Sequence, residues 1–185
     1  MFDLKGIVHD SAIKVVATRQ VKDAASDVQR DVYDSHRHRV FSLAFYMTGN
    51  ELDAENILAG TFITAFREQS VPQAEHVDAA LIGELRQRFP LGANEAVADV
   101  KAVSGAYADL AGRNVRRTDL EEAIQTLPAT ERLLFLMRDV EGYSPAAIAQ
   151  LLDMPESKVQ RGLFSARIRL RGALASAQAD RQQAA

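Results

Sequence analysis

The residues best suited to chemistry lie between Glu156 and Arg171, in the run ESKVQRGLFSARIRLR. Val159, Leu163, Ala166 and Leu170 are spaced by four, three and four, so a helix places them on one face. At about 100° per residue, Ser157, Arg161, Phe164 and Ile168 fall on the opposite face. Lys158 and Ser165 flank that face on one side, Gln160 and Arg171 on the other. From Lys158 to Arg171 there are five basic residues and no acidic one. Lys and Arg suit phosphates and guanine edges, and Gln suits adenine edges. Ser157, Lys158, Gln160, Arg161 and Arg167 are therefore the candidate DNA-binding residues. The alternative is a solvated basic helix end that complements its own dipole.

The elements before this helix weigh on that choice. Leu127-Pro128 separates a short helical pattern from a second, which runs through Leu133, Leu134, Leu136, Met137 and Val140 and stops at Glu141-Gly142. Ser144 is placed to cap a further short helix, with Pro145 at its first position, where a missing N–H is harmless. Ile148, Leu151 and Leu152 form that helix's apolar stripe, and Asp153-Met154-Pro155 is a turn. A short capped helix, a tight turn and a longer basic helix form the pattern of a helix-turn-helix.

The chain has 185 residues, 47% of them hydrophobic, enough for a core without staples. It has no cysteine, which excludes disulfides, thiolate metal sites and cysteine nucleophiles and fits a cytoplasmic setting. No apolar run approaches the ~20 residues a membrane-spanning helix needs, so membrane insertion is not expected. The net charge is −3, so the basic helix is a local docking face on an acidic body. His36 and His38 are two residues apart and share no helix face, which argues against a metal site. Asp53 and Glu55 stand at the same spacing and suit a contact surface better than acid–base work. There is no phosphate-cradling glycine loop and no serine nucleophile elbow. The expectation is a non-enzyme without cofactors, with an all-α fold.

Earlier in the chain, Val28, Val32, Val40, Leu43 and Ala44 recur at helical spacing, and Thr48-Gly49-Asn50 breaks the pattern. A second helix, DAENILAGTFITAFRE, follows. This helix pair resembles the second conserved region of bacterial sigma factors. Together with LPATERLLFLMRDVEGYSPAAIAQLLDMPESKVQRGLFSARIRLR, it is similar to the extracytoplasmic-function class of those factors. The resemblance covers about residues 28 to 68 and 119 to 172.

The resemblance implies two small helical domains joined by a linker, the C-terminal one a helix-turn-helix. The expected division is an extension over 1–22, a first domain over 23–92, a linker over 93–118, a second domain over 119–177 and a disordered tail over 178–185. It implies polymerase-binding residues at Asp53, Glu55, Asn56, Thr61 and Phe62, facing the clamp of core RNA polymerase. Arg86, Gln87, Arg88 and Phe89 are the nearest equivalents of a promoter-opening segment. That family usually carries an acidic residue at Asn56, Gln-Glu at Ala59-Gly60, and a Trp near Leu81 that this chain lacks. The partners implied are core polymerase and promoter DNA. Two other readings remain: a sigma-like protein that binds an anti-sigma factor or a second sigma subunit without opening promoters, and a stand-alone helix-turn-helix regulator. Phe164 and Ile168 are either covered by other helices or part of a partner surface.

Overall fold

A computed structural model describes residues 5–91 and 115–183, with side-chain surroundings from residue 26 onwards. The expected linker lies largely outside the described residues. All regular elements among them are helices.

Helix α1 (Lys5–Thr48) is continuous through the stretch expected as a separate extension. Asn50 caps α2 (Glu51–Glu68), its Oδ1 accepting from the Asp53 N–H at 3.1 Å, and acidic Glu51 and Asp53 in the first turn complement the helix dipole. A short connection over 69–73 leads to α3 (Ala74–Arg88). Val40, Leu43 and Met47 of α1 pack with Ile57 of α2 and Leu81 and Leu85 of α3, all buried. Tyr33 meets Phe62 edge-on at 4.8 Å. Val28, one of the apolar positions of the α1 pattern, is 40% exposed beyond this packing.

The second group contains α4 (Arg117–Gln125), α5 (Ala129–Phe135), α6 (Pro145–Leu152) and α7 (Glu156–Gln183). Past Phe135 the helix widens into a π-helical turn over Leu136–Val140, with Glu141 N–H donating to Leu136 C=O at 3.0 Å. That widening lets Leu136 and Met137 stay buried while Val140 turns outward. Gly142 then adopts φ +80°, where a side chain would be strained, and Tyr143 N–H donates to Met137 C=O at 2.9 Å. Leu133, Leu134, Ile148, Leu152, Val159 and Leu163 form the inner packing of this group.

One expectation is corrected here. Helix α7 runs on to Gln183, through residues 178–183 of the expected tail, and Arg181 pairs with Asp119 at 2.6 Å, tying its end to α4. The two helical groups expected from the sequence also touch one another. Their buried apolar residues form one contiguous cluster, because α1 and α3 pack against α4, α5 and α6.

Candidate nucleic-acid interface

The helix-turn-helix is built as its signals require. Ser144 Oγ accepts from Ala147 N–H at 3.1 Å, and Pro145 occupies the first turn of α6. Ile148 and Leu152 are buried, and Leu151 is half-buried. Asp153 closes α6 in the left-handed region at φ 52°, a conformation that short polar Asp tolerates better than most residues. Met154 is buried under the turn, and Glu156 opens α7.

Along α7, Val159, Leu163, Ala166 and Leu170 are buried as the spacing requires. Ser157, Gln160, Arg161, Phe164, Arg167 and Arg171 are exposed and form one stripe. Gln160 donates to Glu156 Oε1 at 3.1 Å, and Arg161 reaches back to Ser157 C=O at 3.4 Å. Lys158 is half-buried and set to the side of that stripe.

Two basic positions are less available than their spacing implies. Arg167 makes a two-pronged contact with Asp139, at 3.0 and 2.6 Å, and this hydrogen bond raises its pKa. Arg169 pairs at 3.1 Å with Glu131, which is 2% exposed. Ser165 is no flank of the DNA face: it is buried and donates to Glu131 Oε1 at 2.8 Å. Ser165 and Arg169 thus serve the packing of α7 on α5. Ile168 is half-buried, whereas Phe164 stands 66% exposed amid the polar stripe. A phenyl edge among Gln and Arg groups is chemically fit to meet a thymine methyl in a major groove.

The first-domain residues separate into two kinds. Asp53, Glu55 and Asn56 are exposed on α2, but Thr61 and Phe62 are buried at 0% and 4%. Thr61 Oγ1 donates to its own Ile57 C=O at 2.7 Å, and Phe62 packs on Tyr33 and Phe66. They support the α2 face from beneath and do not form it. The exposed stripe includes Leu52 and Ile63, at 67% and 66%. Sequence reasoning passed over these two; their spacing of 11 residues, three helical turns, was the available signal. Gly60 has a role too: the Glu84 carboxylate of α3 lies over it, 2.7 Å from where a Cβ would stand.

The promoter-opening candidates do not form one surface. Gln87 is exposed, and Arg88 pairs with Asp53 at 3.6 Å. Arg86 donates to the Leu152 C=O at the end of α6, 2.8 Å away. Phe89 is half-buried against the core, so it does not present a free ring for base stacking. Among the described residues no group of three or more His, Asp or Glu side chains could hold a metal, and no helix is long and apolar enough to cross a membrane.

The fold and this face define a helix-turn-helix protein with a helical domain packed ahead of it. Residues 117–170, from the first residue of α4 into the middle of α7, match the family described as Sigma-70, region 4. A similar solved structure is the sigma factor RpoE from Bartonella quintana, crystallised in complex with the anti-sigma factor NepR. It is 18% identical with a TM-score of 0.53, over 85% of this chain and 98% of that chain. The family match bears out the resemblance seen in the sequence over residues 117–170. Residues 117–170 thus carry a sigma-70 region 4 domain, and the chain shares its all-helical fold with that solved structure.

Proposed function

We propose that the chain binds core RNA polymerase in the cytoplasm and directs it to particular promoters. The observation that carries this reading is the exposed stripe of α7. Ser157, Gln160, Arg161, Phe164 and Arg171 stand in one line on the second helix of a region 4 helix-turn-helix. In this reading α7 enters the major groove of upstream promoter DNA, with Lys158 beside it on the backbone and Arg167 oriented by Asp139. Asp53, Glu55 and Asn56, with Leu52 and Ile63 on the same helix, meet the polymerase clamp. The test is run-off transcription with purified core enzyme across a promoter library. A cognate promoter yields a discrete transcript only when the chain is added; failure to co-elute with core in gel filtration would sink the reading.

A second reading draws on α3. Phe89 is packed inward, Arg86 and Arg88 are engaged within the molecule, and there is no Trp. On this reading the chain binds an anti-sigma factor, as the similar Bartonella quintana protein does, or a second sigma subunit, without opening promoters. Binding of such a protein partner with no transcript from duplex promoters distinguishes it.

A further inference from the structure

The part of α1 that precedes its packed end carries a pattern of its own. Among the residues with described side chains, Val32 is the first of α1 to pack on the core. One turn earlier Val28 stands 40% exposed, with Ser26, Asp27, Arg30 and Asp31 exposed around it. Yet α1 begins at Lys5, so about 40 Å of helix precede Val32 at 1.5 Å per residue. Val15, Val16 and Val21 do little to sustain a helix by propensity, and a helix without packing is marginal in water. A helix of this length needs an apolar surface to lie against.

In the sequence, Ala17, Val21, Ala24, Ala25, Val28 and Val32 fall within an arc of about 100° on a helix. Their spacings are four, three, one, three and four, the same in either direction. An isologous twofold interface needs that symmetry, because one patch serves both subunits. A twofold axis between residues 24 and 25 sets the helices antiparallel, with Ala17 opposite Val32, Val21 opposite Val28 and Ala24 opposite Ala25. The charges obey the same axis. Residues 14–22 carry Lys14, Arg19 and Lys22 and no acidic residue, whereas residues 27–35, set opposite them, carry Asp27, Asp31 and Asp34 against the single Arg30. Asp27 meets Arg30 of its own helix only at 3.9 Å, with both side chains more than two-thirds exposed, so that contact competes weakly with a second chain. The apolar surface continues beyond α1. Val28 and Val32 share a recess of about 330 Å³ with Pro72 and with Val71, which is 45% exposed. The same register brings Ile13 of one chain opposite His36 of the other, and His36 lines that recess. We propose that α1 is a dimerisation helix, and that a second copy of this chain crosses it antiparallel between residues 24 and 25. The inference does not depend on the sigma-factor reading.

Sedimentation equilibrium of the full chain over a range of concentrations is expected to show a species of twice the chain mass, weakening as salt rises. Val28→Lys enters the interface twice and should weaken association about tenfold or more. Lys is a better helix former than Val, so circular dichroism should show α1 still helical in that variant. Lys22→Glu and Asp27→Lys test the register, because positions 22 and 27 stand opposite each other across the axis. Each change alone sets like charges against each other twice and should drive its chain towards monomer. Mixed in equal amounts, the two variants should recover a heterodimer, in which both pairs are again of opposite sign. A monomer at every concentration would overturn the proposal. A dimer that Val28→Lys and both charge variants leave intact would place the second copy elsewhere and overturn this surface. Two monomeric charge variants that fail to recover association on mixing would overturn the antiparallel register.

Discussion

At Arg161 the guanidinium is exposed at the middle of the α7 stripe and is held only by its own backbone, at 3.4 Å. Its side chain is therefore free to turn to a base edge or a phosphate. Arg161→Ala is expected to weaken binding to the cognate upstream duplex by about 1–3 kcal/mol, roughly ten- to a hundredfold. Fluorescence anisotropy at two salt concentrations separates the roles. A phosphate contact lowers the salt slope by about one, whereas a base contact changes the sequence preference. An unchanged affinity would remove Arg161 from the interface. Glu141 is a different case. Burial raises its carboxyl pKa, opposed by Arg39 and reinforced by Asp78. A raised carboxyl pKa means the native chain holds this proton more tightly than the unfolded one. Its contribution to stability is then fully present below the unfolded pKa, about 4.3, and is lost as pH rises through the folded value. Glu141→Gln should raise the Tm at pH 7, with the gain vanishing below about pH 4. A gain equal at both pH values would contradict this.

At the scale of the element, α6 and α7 owe their placement to local signals. The Ser144 hydroxyl fills a backbone N–H that would otherwise lack a partner at the start of α6. Ser144→Ala is expected to destabilise by about 1 kcal/mol in chemical denaturation, and to weaken DNA binding no further than that loss explains. These signals were legible in advance: the cap, the Pro145 position, the Gly142 stop and the four-three-four spacing of α7 appear in the structure as read. The π-helical turn was not legible, and it moves Val140 outward. Nor was the length of α7 past Leu174. Small polar residues there give little apolar signal, and the Arg181–Asp119 pair joins positions 62 residues apart.

For the whole molecule, Arg132 is the residue on which the two groups turn. Its guanidinium donates to Gln125 C=O at 2.5 Å and Leu127 C=O at 3.0 Å within the second group, and to Met47 C=O at the end of α1 at 2.6 Å. Gln125 adds a bond to Tyr46 C=O at 2.8 Å. Desolvation lowers the Arg132 pKa, yet the group stays charged at any ordinary pH. The wild-type chain is expected to unfold in a single calorimetric transition. Arg132→Leu leaves the carbonyls at the ends of α1 and α4 short of donors and should lower stability by about 2–4 kcal/mol, splitting that transition in two. A single transition with unchanged Tm would show that Arg132 does not hold the groups together.

What the sequence determined by itself was the all-α class, the helix-turn-helix and the face of α7, because periodicity, caps and turn residues act over a few positions. The candidate site was legible to the same depth: Ser157, Gln160 and Arg161 are exposed where spacing placed them. Only the tertiary structure decided that Arg167 leans on Asp139, that Ser165 and Arg169 serve Glu131, and that Thr61 and Phe62 lie inside. It alone joined Tyr143 to Arg39 and Asp78. Those facts depend on which partner a polar group finds across tens of residues. Helical spacing gives a side chain its direction, and burial with a distant partner gives it its role.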